Sequence, residues 1–128
     1  MIAAVETVEG VVLVDLETEQ LLGACTELPE RDRPTVELPR VVAAARAGST
    51  VVAVIERRPP VAVSHDAGQT WRETGGGLPA GFAVAVDESD PDRILYAARN
   101  RLYLSEDGGT FWRRLEPELA DILALVFL

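Results

Sequence analysis

The chain of 128 residues carries a formal net charge of −9, and 48% of its residues are hydrophobic. This hydrophobic content excludes a disordered chain, which needs low hydrophobicity. The chain also has no apolar run that approaches the roughly 20 residues of a membrane-spanning helix. Because the net negative charge repels phosphate backbones, we expect neither a nucleic acid nor a membrane as partner. The first six residues lack the basic start of a signal peptide, which predicts a soluble cytoplasmic protein.

One cysteine and one histidine limit the chemistry that the chain can carry. A lone cysteine forms no internal disulfide, and we expect Cys25 to be a small buried side chain. A single histidine excludes a multi-histidine metal site, and His65, at a variable position of a turn, is expected to face solvent. The sequence therefore predicts no metal and no cofactor.

The chain opens with three short β-rich runs and shows no sustained helical period. The runs are Met1–Val5, Val11–Val14 and Leu21–Thr26, and a polar turn at residues 15–20 separates the second from the third. We interpret them as three strands of an incomplete unit.

A complete unit of four strands follows at residues 40–75. Two β-rich runs, Arg40–Ala45 and Thr50–Ile55, precede a third, Val61–Ser64. After a glycine-containing turn the chain continues as the polar strand Trp71–Thr74.

The same unit returns at residues 81–116. Runs at Phe82–Asp87 and Arg93–Ala98 precede Leu102–Ser105, and Trp112–Leu115 follows. The second unit lies about 41 residues after the first, and a period of about 40–45 residues is typical of four-stranded propeller blades.

The last eight residues, Asp121–Leu128, align with the first strand of the unit at residues 81–116. This is the strand that the N-terminal unit lacks. The sequence therefore predicts an all-β chain of three four-stranded antiparallel blades in one domain, 1–128. The first blade (blade 1) comprises 1–28 together with 121–128, the second (blade 2) spans 40–75, and the third (blade 3) spans 81–116.

A short motif repeats in the turn before the last strand of blades 2 and 3. Its members share one spacing and are Ser64, Asp66, Gly68, Thr70 and Trp71 in blade 2, and Ser105, Asp107, Gly109 and Trp112 in blade 3. Both copies resemble the Asp-box of BNR repeats, with Phe111 in place of the threonine in the second copy. Proteins with these repeats include sialidases, sortilin-type receptor ectodomains and photosystem II assembly factors, and the resemblance implies their β-propeller fold.

We interpret this motif as structural rather than catalytic. A Ser-x-Asp segment can accept backbone N–H bonds and hold a turn, the glycines suit positive φ, and the tryptophans are expected to bury their rings between blades. Asp66 and Asp107 then belong to different blades and form no acid/base pair. In the resembling enzymes the substrate site lies on the opposite face of the propeller.

That opposite face carries two loops that join the second strand to the third. The candidate binding residues are Glu56, Arg57 and Arg58 in blade 2, and Arg99, Asn100 and Arg101 in blade 3. Arginine side chains at these positions suit a carboxylate or another anion. The alternative is that both loops are merely solvated.

Three blades fall short of the roughly four to eight blades of closed propellers. We predict closure between two chains, as a six-bladed homodimer in which residues 121–128 of one chain join residues 1–26 of the other. The rival interpretation is a fragment of a longer propeller.

The function predicted from these features is a non-enzymatic binding or scaffold propeller, with a protein or carbohydrate ligand at the channel face. The alternative is a glycoside hydrolase, sialidase-like or endo-acting. Against the alternative, the sequence has no Arg-Ile-Pro segment of the sialidase kind, and Tyr96 and Tyr103 lie inside strands where packing explains them. A twofold dimer would also duplicate any site, whereas a sialidase pocket is built from unlike blades.

Overall fold

A computed structural model describes residues 1–31 and 33–128 of the chain. The described residues form twelve β-strands in three antiparallel sheets of four. The strands are β1 (Ile2–Thr7), β2 (Gly10–Asp15), β3 (Gln20–Cys25), β4 (Val41–Ala47), β5 (Thr50–Ile55), β6 (Val61–Ser64), β7 (Arg72–Thr74), β8 (Ala83–Asp87), β9 (Asp90–Ala98), β10 (Arg101–Ser105), β11 (Arg113–Arg114) and β12 (Ile122–Phe127). Within the described ranges, no helix has the length and apolarity that a membrane crossing requires.

The three sheets have the strand order of propeller-like blades. Blade 2 runs β4-β5-β6-β7 and blade 3 runs β8-β9-β10-β11, each as a meander. Blade 1 runs β12-β1-β2-β3, so the last strand of the chain supplies its first position. The all-β prediction of three four-stranded antiparallel sheets is confirmed.

The strands that are buried on both faces are continuous apolar runs. In β5 every residue from Thr50 to Ile55 is buried, and in β8 every residue from Ala83 to Asp87 is buried. A run of this kind forms where a sheet is covered on both sides. Blades 2 and 3 are thus covered on both faces at these strands.

The blades follow the spatial order 2, 3, 1, and two apolar cores join them. The core between blades 2 and 3 includes Val54, Val63 and Tyr96, and the core between blades 3 and 1 includes Leu102 and Phe127. Strand β8 contacts both β4 and β12, so the three first strands lie side by side along the concave side of the array.

The two interfaces between neighbouring blades, here called joints, also have a polar contact at matching positions. Arg72 Nη2 donates to the carbonyl oxygen of Gly108 at 2.7 Å, and Arg113 Nη2 donates to the carbonyl oxygen of Leu16 at 3.2 Å. Each arginine follows a tryptophan of the repeated motif and reaches a turn of the next blade. The repeat in the sequence is therefore also a repeat in how one blade holds the next.

Blade 1 is completed within a single chain in this structure. Strand β12 pairs antiparallel with β1 of its own chain, with Val5 opposite Leu125 and Ala3 opposite Phe127. The short segment between β11 and β12 bonds back to blade 3, where Leu119 N donates to Asn100 O at 3.0 Å. It thereby delivers β12 beside the N-terminal strands of the same chain. The predicted exchange of this strand between two chains is not tested by a single chain and stays a prediction.

The prediction that Cys25 is buried was wrong. Cys25 ends β3, the outermost strand of blade 1, and is exposed. Its Sγ donates to the carbonyl oxygen of Glu27 at 3.2 Å. A strand at the rim of a sheet has no neighbour on its outer side, so residue type alone did not determine the burial of this thiol.

Candidate functional site

The motif turn of blade 2 is organised by the carboxylate of Asp66. Asp66 Oδ1 accepts bonds from Thr70 N at 2.8 Å and from Ser64 Oγ at 2.7 Å, and Oδ2 accepts from Thr70 Oγ1 at 2.6 Å. Ser64 Oγ in turn accepts from Gly68 N at 2.8 Å. The hydrogen bond from the Thr70 hydroxyl is the main cause that lowers the pKa of Asp66 to about 2.

The motif turn of blade 3 repeats this arrangement with one donor fewer. Asp107 Oδ1 accepts from Phe111 N at 3.0 Å and from Ser105 Oγ at 2.8 Å, and Gly109 N donates to Ser105 Oγ at 2.8 Å. Phe111 has no hydroxyl, so the threonine bond seen at Asp66 has no counterpart. The pKa of Asp107 is lowered, chiefly by the backbone N–H of Phe111.

The corresponding turn of blade 1 lacks the motif, but an aspartate, Asp15, ends its strand where Ser64 and Ser105 end theirs. Asp15 Oδ1 accepts from Glu17 N at 2.9 Å and from Thr18 N at 3.2 Å, and these bonds lower its pKa, the one from Thr18 most. Asp15 ends a strand at a turn, as a turn-forming aspartate does. That position was the signal available in the sequence.

These turns give the motif aspartates a structural role. A carboxylate whose pKa is lowered by turn bonds stays ionised at neutral pH and cannot act as a general acid there. Asp66 and Asp107 also belong to turns of different blades. The geometry therefore favours the structural interpretation of the motif.

We expect Asp66→Asn to lower the melting temperature at pH 7, because the amide offers only one acceptor oxygen where the carboxylate offers two. The folded-state pKa of about 2 lies below the ordinary value of 3.8. Ionised Asp66 therefore stabilises the fold above pH 3.8, and this contribution is lost as the pH falls towards 2. Thermal melts between pH 2 and pH 7 should show the wild-type advantage shrinking across that window.

Asp107→Asn is the matched comparison for that melt series. It should lower the melting temperature at pH 7 less than Asp66→Asn does, because the turn at Asp107 lacks the hydroxyl donor. This account of the turns would be contradicted if Asp107→Asn lowered the melting temperature as much as Asp66→Asn or more. It would also be contradicted if the wild type still melted at a clearly higher temperature than Asp66→Asn at pH 2.

The two tryptophans of the motif are half-buried, and they face different surroundings. Trp112 packs in the core between blades 2 and 3, meets Tyr96 edge-to-face at 5.9 Å between ring centroids, and donates from Nε1 to Gly109 O at 2.9 Å. Trp71 packs instead with Val36 and Leu38 of the segment that joins β3 to β4. Of the two tryptophans, Trp112 packs against a neighbouring blade and Trp71 packs against a connecting segment.

The predicted binding loops do lie between the second and third strands of their blades. Glu56, Arg57 and Arg58 follow β5, while Arg99 and Asn100 follow β9 and Arg101 begins β10. Three of their four arginines pair with carboxylates: Arg57 with Glu73, Arg99 with Asp121 at 3.7 Å, and Arg101 with Glu118 at 3.2 Å. Among the residues that the structure describes, no ion pair or hydrogen bond joins the two loops. Their role in binding stays a prediction.

The concave side of the array holds a cavity that the sequence did not reveal. Its volume is about 1210 Å³, and its walls are β4, β8 and β12 together with residues 28–31 and Arg33. The strand walls are mostly small: Ala43, Ala44, Ala45, Ala83, Ala85 and Ala124. Small residues along three adjacent first strands leave this space open.

Two large apolar side chains stand out in this wall. Phe82 is 54% exposed and Leu123 is 54% exposed, and both line the cavity. Each lies at the start of the first strand of its blade, Phe82 just before β8 and Leu123 within β12. In the sequence, the sign of these two positions was a large apolar residue next to an alanine. That sign does not predict a cavity residue unless it is known which strands face the cavity.

The cavity wall also carries charge of both signs. Arg31, Arg33 and Arg46 line it, as do Glu6, Glu30 and Glu88. Arg31 Nη2 donates to Phe127 O at 3.2 Å, and its Nε lies 3.8 Å from Glu88 Oε1. The connecting segment is thereby attached to the first strand of blade 1 and to the loop after β8. Across the described ranges, no group of three or more His, Cys, Asp or Glu side chains is placed to hold a metal ion.

The sequence matches no protein-family model and no curated protein. Among solved structures, the crystal structure of the GH74 enzyme of Niastella koreensis, a β-propeller glycoside hydrolase, is similar to this chain with a TM-score of 0.51 and 20% sequence identity. The match covers 94% of this chain and 18% of that enzyme, so the chain spans less than a fifth of its length. The likeness shows that the three sheets have a propeller-like fold.

Proposed function

We propose that this chain is a non-enzymatic binding scaffold built from BNR-type blades, and that its ligand occupies the concave cavity. The observation that carries the proposal is the pair of half-exposed side chains, Phe82 and Leu123, on adjacent first strands of one cavity. Ligand sites are typically concave, mostly apolar, and fitted with a few polar groups that orient the ligand. This cavity is concave and offers both apolar side chains and charged groups, although its lining is more polar than that of a typical ligand site.

The chemistry of the wall favours a ligand with an apolar face and an anionic group. Phe82, Leu123 and Val42 offer apolar contact. Arg33 and Arg46 add guanidinium groups, which bind carboxylates through paired N–H donors. A protein segment or a carbohydrate that carries a carboxylate has both features.

A glycoside hydrolase is the competing function. Hydrolysis of a glycosidic bond needs one carboxyl group kept protonated and a second held at a defined separation from it. The motif aspartates have pKa values lowered by their turns, which is opposite to what a general acid needs. In the cavity, Glu88 is paired with Arg31. These observations support binding over catalysis.

The binding proposal predicts a site for 1-anilinonaphthalene-8-sulfonate, a fluorescent probe with apolar rings and one sulfonate. We expect saturable binding that weakens at least tenfold in the double variant Phe82→Ser/Leu123→Ser, because both apolar contacts are lost. The matched control is Phe111→Ser, whose side chain is 76% exposed in a turn outside the cavity and should leave binding unchanged.

Two outcomes would overturn the proposal. Equal weakening by Phe111→Ser would show that the probe reads general surface hydrophobicity. Turnover of a fluorogenic glycoside panel that disappears in Glu88→Gln or Glu6→Gln would replace the binding scaffold with a hydrolase.

The homodimer is a second part of the proposal. Two chains would supply six blades, within the range of closed propellers, whereas one chain supplies three. The six-bladed ring predicted from the sequence remains a prediction. Its closure would place blade 1 of one copy against the outer face of blade 2 of the other, where Ala53, Ile55 and Ala62 now pack under Val36 and Leu38.

A further inference from the structure

Each blade has a β-bulge at the start of its first strand. In blade 2 the residues on either side of Val42 pair with consecutive residues of β5, so Val42 has no residue opposite it. In blade 1 the residues on either side of Leu123 likewise pair with consecutive residues of β1. In blade 3, Phe82 N donates to the carbonyl oxygen of Ala97 at 3.0 Å, although Ala97 is already the partner of Ala83. All three first strands thus begin with one surplus residue.

The neighbours of the surplus residues show that the alternation of strand faces does not need them. Val41 packs on the outer face of blade 2, while Ala43 packs in the core between blades 2 and 3, as adjacent residues of a regular strand do. Ile122 and Leu125 share the core between blades 3 and 1. Residues three apart share a face of a strand only when one residue between them is surplus. Removing that residue would leave the buried face as it is.

The surplus residues instead supply apolar side chains to the concave cavity. Val42, Phe82 and Leu123 all line it, and we call these three residues the apolar collar. Val42 is half-buried, whereas Phe82 and Leu123 are each 54% exposed. Because β8 contacts both β4 and β12, the apolar collar lies on adjacent strands. Bulges are found where a side chain is re-aimed towards a site. Three of them around one space indicate a binding point.

One carboxylate adjoins the apolar collar. Glu6 lines the cavity and lies opposite Ala124, the residue after Leu123. Within the described ranges, no ion pair involves Glu6. Arg46, which suits an anionic group, is four residues beyond Val42 on β4, about 13 Å along the strand. The charge next to the collar is therefore complementary to a cationic group of a ligand.

We propose that the apolar collar binds one large apolar side chain of a partner protein, beside a basic residue that faces Glu6. The inference rests on the proposed binding function and names the class of its ligand. The three collar side chains carry no hydrogen-bonding group, so the hydroxyls of a sugar ring would lose their water partners there without replacement. An apolar protein side chain has no such groups, and the polar atoms of its backbone lie outside the collar.

The first strands can also bind the backbone of such a segment. Strands β4, β8 and β12 each end their sheet, so one edge of each lacks a strand partner in the described part of the chain. Arg31 Nη2 donates to the carbonyl oxygen of Phe127 in β12, which shows that a donor outside the sheet reaches this backbone. An extended peptide bonds to a strand edge in the same way, and pockets beside the edge receive its side chains. The apolar collar would be such a pocket.

The test starts from a library of random heptapeptides that is displayed on phage and selected on the full chain. We expect enrichment of one large apolar residue adjacent to a lysine or arginine. A fluorescently labelled synthetic copy of an enriched peptide should bind saturably in fluorescence anisotropy. Replacing its apolar residue with serine, or its basic residue with glutamate, should weaken binding at least tenfold.

Leu123→Ser should weaken binding of that peptide at least tenfold, because one side of the apolar collar is lost. Deletion of Leu123 should do the same and leave the circular dichroism spectrum unchanged, because regular pairing replaces the bulge. The matched control is Leu21→Ser, at a strand leucine that is 53% exposed outside the cavity, and it should leave binding unchanged. Glu6→Gln should weaken binding of the basic peptide but not of a copy with glutamine in place of its basic residue.

Three outcomes would overturn this inference. The first is a selection that enriches no apolar residue, or a peptide that binds Leu123→Ser as tightly as the wild type. The second is enrichment of acidic residues beside the apolar one, which would contradict the role of Glu6. The third is an oligosaccharide from an array whose binding is lost in Leu123→Ser, which would make the ligand a carbohydrate.

The anilinonaphthalene probe separates this inference from the proposed function. If the probe binds and Phe82→Ser/Leu123→Ser weakens its binding while no peptide is selected, the cavity is a binding site and the ligand class is wrong. If the double variant binds the probe as tightly as the wild type, the proposed function itself fails.

Discussion

Replacing Tyr96 with alanine should destabilise the protein by about 3–5 kcal/mol, the range measured for removing large aromatic side chains from cores. Tyr96 is fully buried on β9, and its ring meets Trp112 and Tyr103 edge-to-face at 5.9 and 6.2 Å between centroids. Alanine would leave a cavity at the joint between blades 2 and 3, because the rings around it cannot all move in. Chemical denaturation at pH 7 measures the loss in unfolding free energy.

Tyr96→Phe separates the ring of Tyr96 from its hydroxyl group. The hydroxyl donates to the carbonyl oxygen of Pro79 at 2.6 Å, and burial raises the pKa of Tyr96 to about 12, so the group remains a donor at neutral pH. The phenylalanine variant should lose only about 1 kcal/mol, the ordinary value of one hydrogen bond. If it lost as much as Tyr96→Ala, the hydrogen bond and not the packing would hold the joint.

Gly81→Ala is the second substitution with a large expected effect. A Cβ at Gly81 would overlap the phenol ring of Tyr96, at its Cζ and hydroxyl oxygen. Because the ring is fully buried and has two aromatic neighbours, we expect the variant to lose about 1–3 kcal/mol of stability, the range typical of overpacked cores. The backbone φ of Gly81 is ordinary, so the effect measures side-chain crowding and no backbone strain.

Gly77→Ala is the matched control in the same connecting segment. A Cβ at Gly77 meets nothing within 4 Å, and its φ is also ordinary, so its stability should change by less than about 1 kcal/mol. A double variant, Gly81→Ala in the Tyr96→Ala background, should lose little beyond Tyr96→Ala itself, because the overlapping ring is gone. Simple addition of the two losses would show that the predicted overlap is not the cause.

Several features of the fold could be predicted because they depend on neighbouring residues in the chain. The run Thr50–Ile55 was predicted as a strand and forms β5 with the same bounds. The repeated motif placed Asp66 and Asp107 in turns, and the structure shows each carboxylate accepting backbone bonds within four residues. Matching residues 121–128 to a first strand also predicted the sheet order β12-β1-β2-β3.

The candidate site could not be predicted from neighbouring residues in the chain. The arginines of the predicted loops are paired with nearby carboxylates, such as Glu118 beside Arg101, that lie in other segments of the chain. Phe82 and Leu123 are distant in the sequence, and they share a cavity only because β8 and β12 are neighbours at the concave side. The sequence contains both residues, but only the packing of three sheets shows that they face one space.

By itself, then, the sequence determined the class of fold, the number of strands in each blade and the design of the turns. All of these follow from short β-rich runs, from turn chemistry and from a repeat of about 41 residues, which can be recognised along the chain without its tertiary structure. Only the tertiary structure decided that β12 can complete blade 1 within one chain, that Cys25 is exposed, and that every residue of β3 is exposed. The physical reason is that pairing and burial depend on what lies across a strand, and that neighbour is set by the arrangement of whole blades.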